Sequence, residues 1–211
     1  MKQRIVCFGD SNTWGYDAAT DGRFSADVRW PKILASLVDE QYEVIEEGLS
    51  GRTSVCDDPL FEGLNGFHYL APCLMSHSPL ALVIIMLGTN DTKERFHLTS
   101  YNIAQGITRL ALKARSLPVG ENAVAPKVLV IAPPVIGENY IDSSVGAAMG
   151  EGCHEKSRML SAHLEELLPP EIDFLVTQDV VEMNDIDYMH LTVEGHKLLA
   201  ELVFNKLKKI L

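Results

Sequence analysis

The sequence has few cysteines, and their spacing favours neither a clustered zinc site nor a disulfide framework. Its four cysteines, Cys7, Cys56, Cys73 and Cys153, form no Cys-x-x-Cys pair. Zinc sites show clustered ligands and disulfide frameworks show many paired cysteines, and the sequence has neither pattern. We expect reduced thiols in a cytoplasmic protein, with no metal and no cofactor.

Long hydrophobic runs and excess positive charge are also lacking. The most apolar stretch, residues 81–87, is far too short to cross a bilayer, and the basic residues 1–4 precede too few apolar residues for a signal peptide. Lys and Arg total 18 against 29 Asp and Glu, a net charge of −11. This charge argues against a nucleic acid or an anionic membrane as the main partner.

Apolar strands alternate with amphipathic helices along the 211 residues. This order predicts an α/β fold in one domain, residues 1–211, with a five-stranded parallel sheet covered by helices on both faces. The predicted strands cover residues 5–8, 42–46, 81–87, 127–131 and 173–176. The predicted helices cover residues 28–38, 67–76, 100–115 and 153–168, with a final helix capped by Thr192.

Three of these strands end in polar, glycine-containing turns, and in parallel sheets the carboxyl ends of the strands form the site. The first turn, after residues 5–8, holds Ser11 where a helix can begin. A serine in such a turn exposes its hydroxyl, while the helix start supplies free N–H groups. The same residues also fit a plain strand–turn–helix joint in which Asp10 or Ser11 is only the helix cap.

The remaining turns and a late loop complete a possible acyl-transfer site. His190 can take the proton of the Ser11 hydroxyl with one ring nitrogen, and Asp187 can hold the other. Gly51 allows a close approach of its N–H, and the Asn90 amide can bind the same oxyanion, with the Ser11 N–H as a third donor.

Other residues could take some of these roles. His196 is a second possible base, although its place one turn into the final helix suggests a polar surface or capping role. Asp185 and Asp179 compete with Asp187, and Gly48 competes with Gly51. Asp10 and Asp91 are expected to order their turns, the first by accepting backbone N–H groups.

These residues resemble the four sequence blocks of the SGNH hydrolases, in the wider GDSL esterase/lipase group. The blocks are Gly9-Asp-Ser11, Gly51 within residues 49–52, Gly88-Thr-Asn-Asp91 and Asp187-x-x-His190. The resemblance implies a flavodoxin-like three-layer sandwich and a metal-free serine hydrolase. It implies Ser11, Asp187 and His190 as the triad, and Ser11, Gly51 and Asn90 as the oxyanion hole.

The segments between the blocks resemble the arylesterase/acyltransferase-like branch, notably residues 27–30, 57–59 and 83–93. This resemblance implies short acyl or aryl esters as small-molecule substrates, possible acyl transfer to alcohols, and a homo-oligomer. The alternatives are a carbohydrate acetylesterase with the same triad and a non-catalytic flavodoxin-like binding module.

Several further positions fit more than one role. Asn12 stands where the wider family usually has Leu, and we expect Asn12 and Trp14 to contact the substrate. Trp14 and Trp30 fit core packing equally well. Arg52 is expected to form a surface ion pair with Glu46 or Glu47. Residues 135–152 could be a lid, a pocket rim or an oligomer contact.

Overall fold

The computed structural model describes residues 2–211 and contains one five-stranded parallel sheet in the order β4-β1-β5-β6-β7. Two further short strands, β2 and β3, form an antiparallel hairpin. The strands are β1 (Gln3–Gly9), β2 (Tyr16–Asp17), β3 (Gly22–Arg23), β4 (Tyr42–Gly48), β5 (Leu80–Met86), β6 (Lys127–Ile131) and β7 (Asp173–Leu175).

Seven α-helices accompany the sheet in the described part of the chain, residues 2–211. They are α1 (Ser11–Trp14), α2 (Trp30–Leu37), α3 (Gly66–Ser76), α4 (Ser100–Ser116), α5 (Gly146–Met149), α6 (Cys153–Leu167) and α7 (Val193–Ile210). Within residues 2–211, no helix combines the length and the apolar character that crossing a membrane requires.

Side chains of the inner strand β1 alternate between two hydrophobic cores. Val6 and Phe8 pack in the core that α3, α4 and α6 cover, whereas Ile5 and Cys7 pack in the core that α2 and α7 cover. All four side chains are fully buried, as expected for a parallel strand with helices on both faces. The predicted three-layer α/β/α sandwich and its parallel sheet are therefore confirmed.

Local sequence signals account for the helix starts. The Thr99 and Asn102 side chains form a reciprocal capping box at the start of α4, and Thr192 accepts from Gly195 N at 2.9 Å at the start of α7. Asn65 caps α3 by accepting from the second and third residues after it. Each cap satisfies N–H groups that have no partner inside the helix.

The strand order places a change of direction beside β1. The chain passes from β1 to β4, which pairs with one edge of β1, and then to β5, which pairs with the other edge. The strands β6 and β7 follow β5 in the same direction across the sheet. A crevice forms at such a switch point, at the carboxyl ends of the strands. Ser11 follows β1, Gly51 follows β4 and Asn90 follows β5, so the fold delivers three predicted site residues to this crevice.

The structure adds elements that the sequence analysis did not predict. The hairpin of β2 and β3 has only two residues in each strand, too few to give a periodic pattern. The segment 135–152, for which the sequence predicts no regular element, contains a 3₁₀ turn, Glu138–Asp142, and the one-turn helix α5.

Candidate active site

The nucleophile turn is built by close packing around the end of β1. Asp10 caps α1, and its Oδ1 accepts from Asn12 N at 3.0 Å, as predicted. A Cβ at Gly9 would lie 2.1 Å from Thr13 Oγ1 and 2.9 Å from Met86 O, so the turn has no room for a side chain there. Ser11 is the first residue of α1 and only 5% exposed. Of the two helix caps considered, Asp10 is the one observed, and Ser11 is the first residue of the helix.

Ser11, His190 and Asp187 form one continuous hydrogen-bonded chain. His190 Nε2 lies 2.9 Å from Ser11 Oγ, and His190 Nδ1 lies 2.6 Å from Asp187 Oδ2. All three side chains are buried. The two competing carboxylates, Asp179 and Asp185, are exposed and do not contact the imidazole.

The loop that carries His190 is organised by Asn184. Its Oδ1 accepts from Asp187 N at 2.8 Å, while its Nδ2 donates to Asp187 Oδ1 at 2.9 Å and to His190 O at 2.8 Å. Asp187 Oδ1 also accepts from the backbone N–H groups of Met189 and His190. The carboxylate is thereby oriented before it reaches the imidazole.

These contacts decide the charge of Asp187. Burial by itself would raise the pKa of this carboxyl, but the hydrogen bond and charge of His190 and the N–H donors of the loop outweigh burial and lower the pKa to about 2. Asp187 is therefore ionised at neutral pH and can fix the ring tautomer that leaves Nε2 free to accept a proton from Ser11.

Asn12 connects the nucleophile turn to the histidine loop. Its Nδ2 donates to Met189 O at 3.1 Å, and its Oδ1 accepts from Leu191 N at 3.0 Å. The two contacted residues flank His190 in sequence, and Asn12 is 2% exposed. The carboxamide is therefore engaged at both ends with the backbone around His190, and this geometry does not support the predicted substrate contact.

The three predicted N–H donors lie in three different turns that follow β1, β4 and β5. Neither Ser11 N–H nor Gly51 N–H donates a hydrogen bond within residues 2–211. The Asn90 Nδ2 donates one of its two protons to Arg52 O at 3.2 Å, which leaves the second proton free. Because an oxyanion site needs unpaired donors aimed at one point, this set fits that use.

The two candidate glycines have different surroundings. A Cβ at Gly48 would lie 2.1 Å from Trp14 N and 2.6 Å from Thr13 C, so Gly48 allows β4 to pack against α1. Gly51 has φ +85°, and the nearest atom to a Cβ there is Leu64 Cδ1 at 3.0 Å. Gly51 therefore provides a left-handed turn with a free N–H, and Gly48 provides close packing of the scaffold.

Arg52 does not form the predicted surface ion pair. It is 3% exposed, its guanidinium carbon lies 4.2 Å from the ring centroid of Phe8, and it donates to Gly9 O at 2.9 Å and to Glu47 O. Glu46 is paired instead with Arg29, at 2.8 Å. Arg52 thus fills space behind the Gly51 turn and ties it to the end of β1.

Asp91 orders its turn, as predicted. Both of its carboxylate oxygens accept from Ser54 N at 3.0 Å, and Oδ1 accepts from Ser54 Oγ at 2.5 Å. Asp91 is fully buried. This link holds the turn that carries Asn90 against the segment that follows Gly51.

His196 is not a surface residue, contrary to expectation. It is fully buried, its Nδ1 accepts from Trp30 N at 3.3 Å, and its ring packs edge-on against Phe24. Burial, followed by the charges of Arg29 and His190, lowers the pKa of His196 to about 4. His196 is therefore a neutral core histidine, and it makes no hydrogen bond to Ser11.

Two aromatic residues border the site in different ways. The Tyr16 ring centroid lies 4.3 Å from that of His190, a contact that no sequence motif indicated. Trp14 is half-buried, and the Arg23 guanidinium carbon lies 5.0 Å from the centroid of its ring. The predicted contact between Trp14 and the substrate stays a prediction. Trp30 is fully buried in the core beside α7.

The segment 135–152 packs against the histidine loop. Gly137 N donates to Tyr188 O at 2.8 Å, and Ile136, Tyr140 and Met149 form a small core with Met189. Of the three roles considered for this segment, the rim of the site agrees best with these contacts.

The site contains no set of metal ligands. Within residues 2–211, the one group of three His, Cys, Asp or Glu side chains close enough to hold an ion includes neither Asp187 nor His190. The crevice holds a hydroxyl, an imidazole and a carboxylate in one hydrogen-bonded chain.

Comparison with solved structures gives full-length matches. An aryl esterase from M. smegmatis is 38% identical, with 99% of this chain and 100% of that chain covered and a TM-score of 0.91. A carbohydrate acetylesterase from Sinorhizobium meliloti is also 38% identical, with 100% of both chains covered and a TM-score of 0.89. No match was found among the curated proteins.

The profile of the GDSL-like lipase/acylhydrolase family matches residues 7–198. That range begins in β1 and ends in α7, so it spans every turn that contributes to the crevice. The predicted relationship is confirmed: the chain belongs to the GDSL-like lipase/acylhydrolase family.

Proposed function

We propose that the protein is a serine esterase that hydrolyses short acyl or aryl esters through an acyl-enzyme on Ser11. Its family and its full-length neighbours, an aryl esterase and a carbohydrate acetylesterase, make it a carboxylic ester hydrolase. The observation that carries the assignment of residues is the buried chain of contacts from Ser11 through His190 to Asp187.

The reaction follows from the roles that these groups can take. His190 Nε2 accepts the proton of Ser11 as its Oγ attacks the ester carbonyl, and Asp187 stabilises the imidazolium that forms. The oxyanion is bound by the N–H groups of Ser11 and Gly51 and by the free Asn90 amide proton. His190 then protonates the departing alcohol, and water attacks the acyl-enzyme with the same imidazole as base.

Asn12 acts in this proposal as a positioning residue. Because its carboxamide grips the backbone on both sides of His190, it holds the imidazole at hydrogen-bond distance from the neighbouring Ser11. Of Asn12 and Trp14, only Trp14 remains a proposed substrate contact, since it is half-buried beside the nucleophile turn.

Covalent labelling tests the proposal. We expect a fluorophosphonate to modify the wild-type protein once, on the peptide that contains Ser11, and to abolish hydrolysis of p-nitrophenyl acetate. Ser11→Ala should neither label nor hydrolyse. Ser36→Ala is the matched control, because Ser36 is exposed on α2 and its removal should change neither result. A folded wild-type protein without label, or a labelled and active Ser11→Ala variant, would contradict the proposal.

A carbohydrate acetylesterase is the second candidate, and the neighbour of that activity, 38% identical over the full length of both chains, supports it. The same residues would then remove acetyl groups from sugars. Comparing kcat/KM for acetylated sugars and for aryl acetates separates the two candidates. Adding a primary alcohol to the same reaction and measuring the ester formed tests the proposed acyl transfer.

The proposed homo-oligomer and cytoplasmic location rest on the resemblance to the arylesterase-like branch and on the cysteine usage. Light scattering coupled to size-exclusion chromatography measures the assembly, and cell fractionation with a tagged chain measures the location. A monomer, or a protein recovered outside the cytoplasm, would contradict these two proposals without affecting the assignment of Ser11.

A further inference from the structure

A second group of reactive side chains lies outside the crevice, where the end of β4 meets α3. Glu47 is the residue before the last of β4, Cys73 lies in α3, and His77 follows the last residue of α3. One oxygen, one sulfur and one nitrogen from these side chains lie within 4.8 Å of one another.

The backbone explains why these three meet. Cys73 and His77 are four residues apart, so their side chains lie one above the other on the same helix face. Glu47 faces them from the sheet, and its Oε1 lies 2.6 Å from His77 Nε2. The carboxylate and the imidazole are therefore already in contact, and the thiol completes a triangle.

The cluster is closed on one side and open on the other. Cys73 is 2% exposed, whereas the side chains of Glu47 and His77 are 18% and 28% exposed. Burial of the thiol shields a bound ion from bulk water on that side. The partial exposure of the other two ligands provides an entry path and a place for a water molecule.

We propose that Glu47, Cys73 and His77 bind a zinc ion, with water as the fourth ligand. Thiolate, imidazole and carboxylate are the three ligand types that zinc takes in proteins, at about 2.3, 2.0 and 2.1 Å. Those lengths require ligand atoms about 3.5 Å apart in a tetrahedral site. The observed separations, at most 4.8 Å, need only small side-chain rotations to reach that value.

Charge supports the same assignment. A thiolate and a carboxylate together carry two negative charges, which match the charge of a divalent cation. Zinc binds the thiolate form of cysteine, so binding of one ion releases the Cys73 proton to solvent.

Cobalt(II) is the probe, because it occupies zinc sites and a cobalt–thiolate bond gives a near-ultraviolet charge-transfer absorption. Titration of the untagged, reduced wild-type protein should give this absorption, saturating at one cobalt per chain, and added zinc should abolish it. Cys73→Ser should remove the absorption. His77→Gln should weaken cobalt binding by at least about tenfold, the scale seen when a zinc site loses support.

Matched controls exist for both ligands. Cys56→Ser removes a half-buried thiol, and His68→Gln removes an exposed histidine, both outside the cluster. Both variants should keep the full absorption and stoichiometry. Far-ultraviolet circular dichroism checks folding, and Glu47→Gln serves as a third ligand variant if Cys73→Ser does not fold.

The possible results are decisive in both directions. A saturable thiolate absorption that Cys56→Ser retains and the ligand variants lose supports the site. A folded wild-type protein without that absorption, an absorption that survives in folded Cys73→Ser, or one that disappears in Cys56→Ser would overturn the proposal. These readouts do not depend on esterase activity, so they are independent of the assignment of Ser11.

Discussion

Replacing His196 with glutamine removes a titrating group from the interior while keeping an acceptor for the Trp30 N–H. His196 is fully buried, and burial lowers its pKa from 6.5 to about 4. As the pH falls below 6.5, the unfolded chain takes up a proton at this position and the folded chain does not. Stability that is fully present above pH 6.5 is therefore lost as the pH falls towards 4.

The magnitude follows from the size of the pKa shift. A difference of about 2.5 pKa units corresponds to about 3.4 kcal/mol at 1.36 kcal/mol per unit, and about 3 kcal/mol of this is lost between pH 7 and pH 4. Asp10 opposes this trend in the wild-type protein. Burial raises its pKa to about 6, so its contribution to stability falls as the pH rises from about 4 to 6.

Because Asp10 is common to both proteins, the difference between wild type and His196→Gln isolates the histidine. Urea unfolding followed by far-ultraviolet circular dichroism gives the free energy of unfolding of each protein at pH 7 and pH 4. We expect the wild-type value minus the variant value to decrease by about 3 kcal/mol from pH 7 to pH 4. A difference that stays constant would refute the assignment of His196 as a buried neutral histidine.

Three further substitutions test the site and its scaffold. Asn90→Ala should lower kcat/KM for p-nitrophenyl acetate by about 10²–10³; a decrease below tenfold in a folded variant would exclude Asn90 from oxyanion binding. Asn12→Ala leaves two buried backbone groups beside the imidazole without partners, so the free energy of unfolding in urea should fall by about 2–4 kcal/mol. We also expect kcat to fall by a larger factor than KM rises. An unchanged kcat would contradict the positioning role of Asn12. Gly48→Ala places a Cβ 2.1 Å from Trp14 N and should cost about 1–3 kcal/mol or more in unfolding free energy. Gly22→Ala is its control, because neither glycine has a positive φ and the nearest atom to an added Cβ at Gly22 is the side-chain oxygen of Thr20, at 3.1 Å; equal losses would show that crowding at Gly48 is not responsible.

The strands β1, β5 and β6 could be predicted from the sequence because each is a short apolar run, and the turns after β1, β4 and β5 could be predicted because each contains glycine near its start. β5 illustrates this: the predicted range 81–87 differs by one residue at each end from the observed Leu80–Met86. Asp187 and His190 were identified because a three-residue spacing on one loop is visible without knowledge of the fold.

Contacts between distant segments could not be predicted in the same way. The guanidinium of Arg52 lies over an aromatic ring of β1, which depends on where three segments meet. Asn12 and Asn184 bind backbone atoms, and such contacts leave no recurring sequence pattern. His196 is different, since its spacing of three, four and seven residues to Leu199, Ala200 and Val203, all buried, is the pattern of an inward helix face and was available in the sequence.

The base and its carboxylate partner both lie on the single loop between β7 and α7. Local unfolding that moves this loop away from the nucleophile turn removes His190 and Asp187 from the site together. No intermediate state that keeps one of the two groups in place is therefore expected along that motion. Local opening would then stop turnover abruptly while the sheet stays folded. At denaturant concentrations that leave the circular dichroism spectrum native, we expect ester hydrolysis to have already ceased.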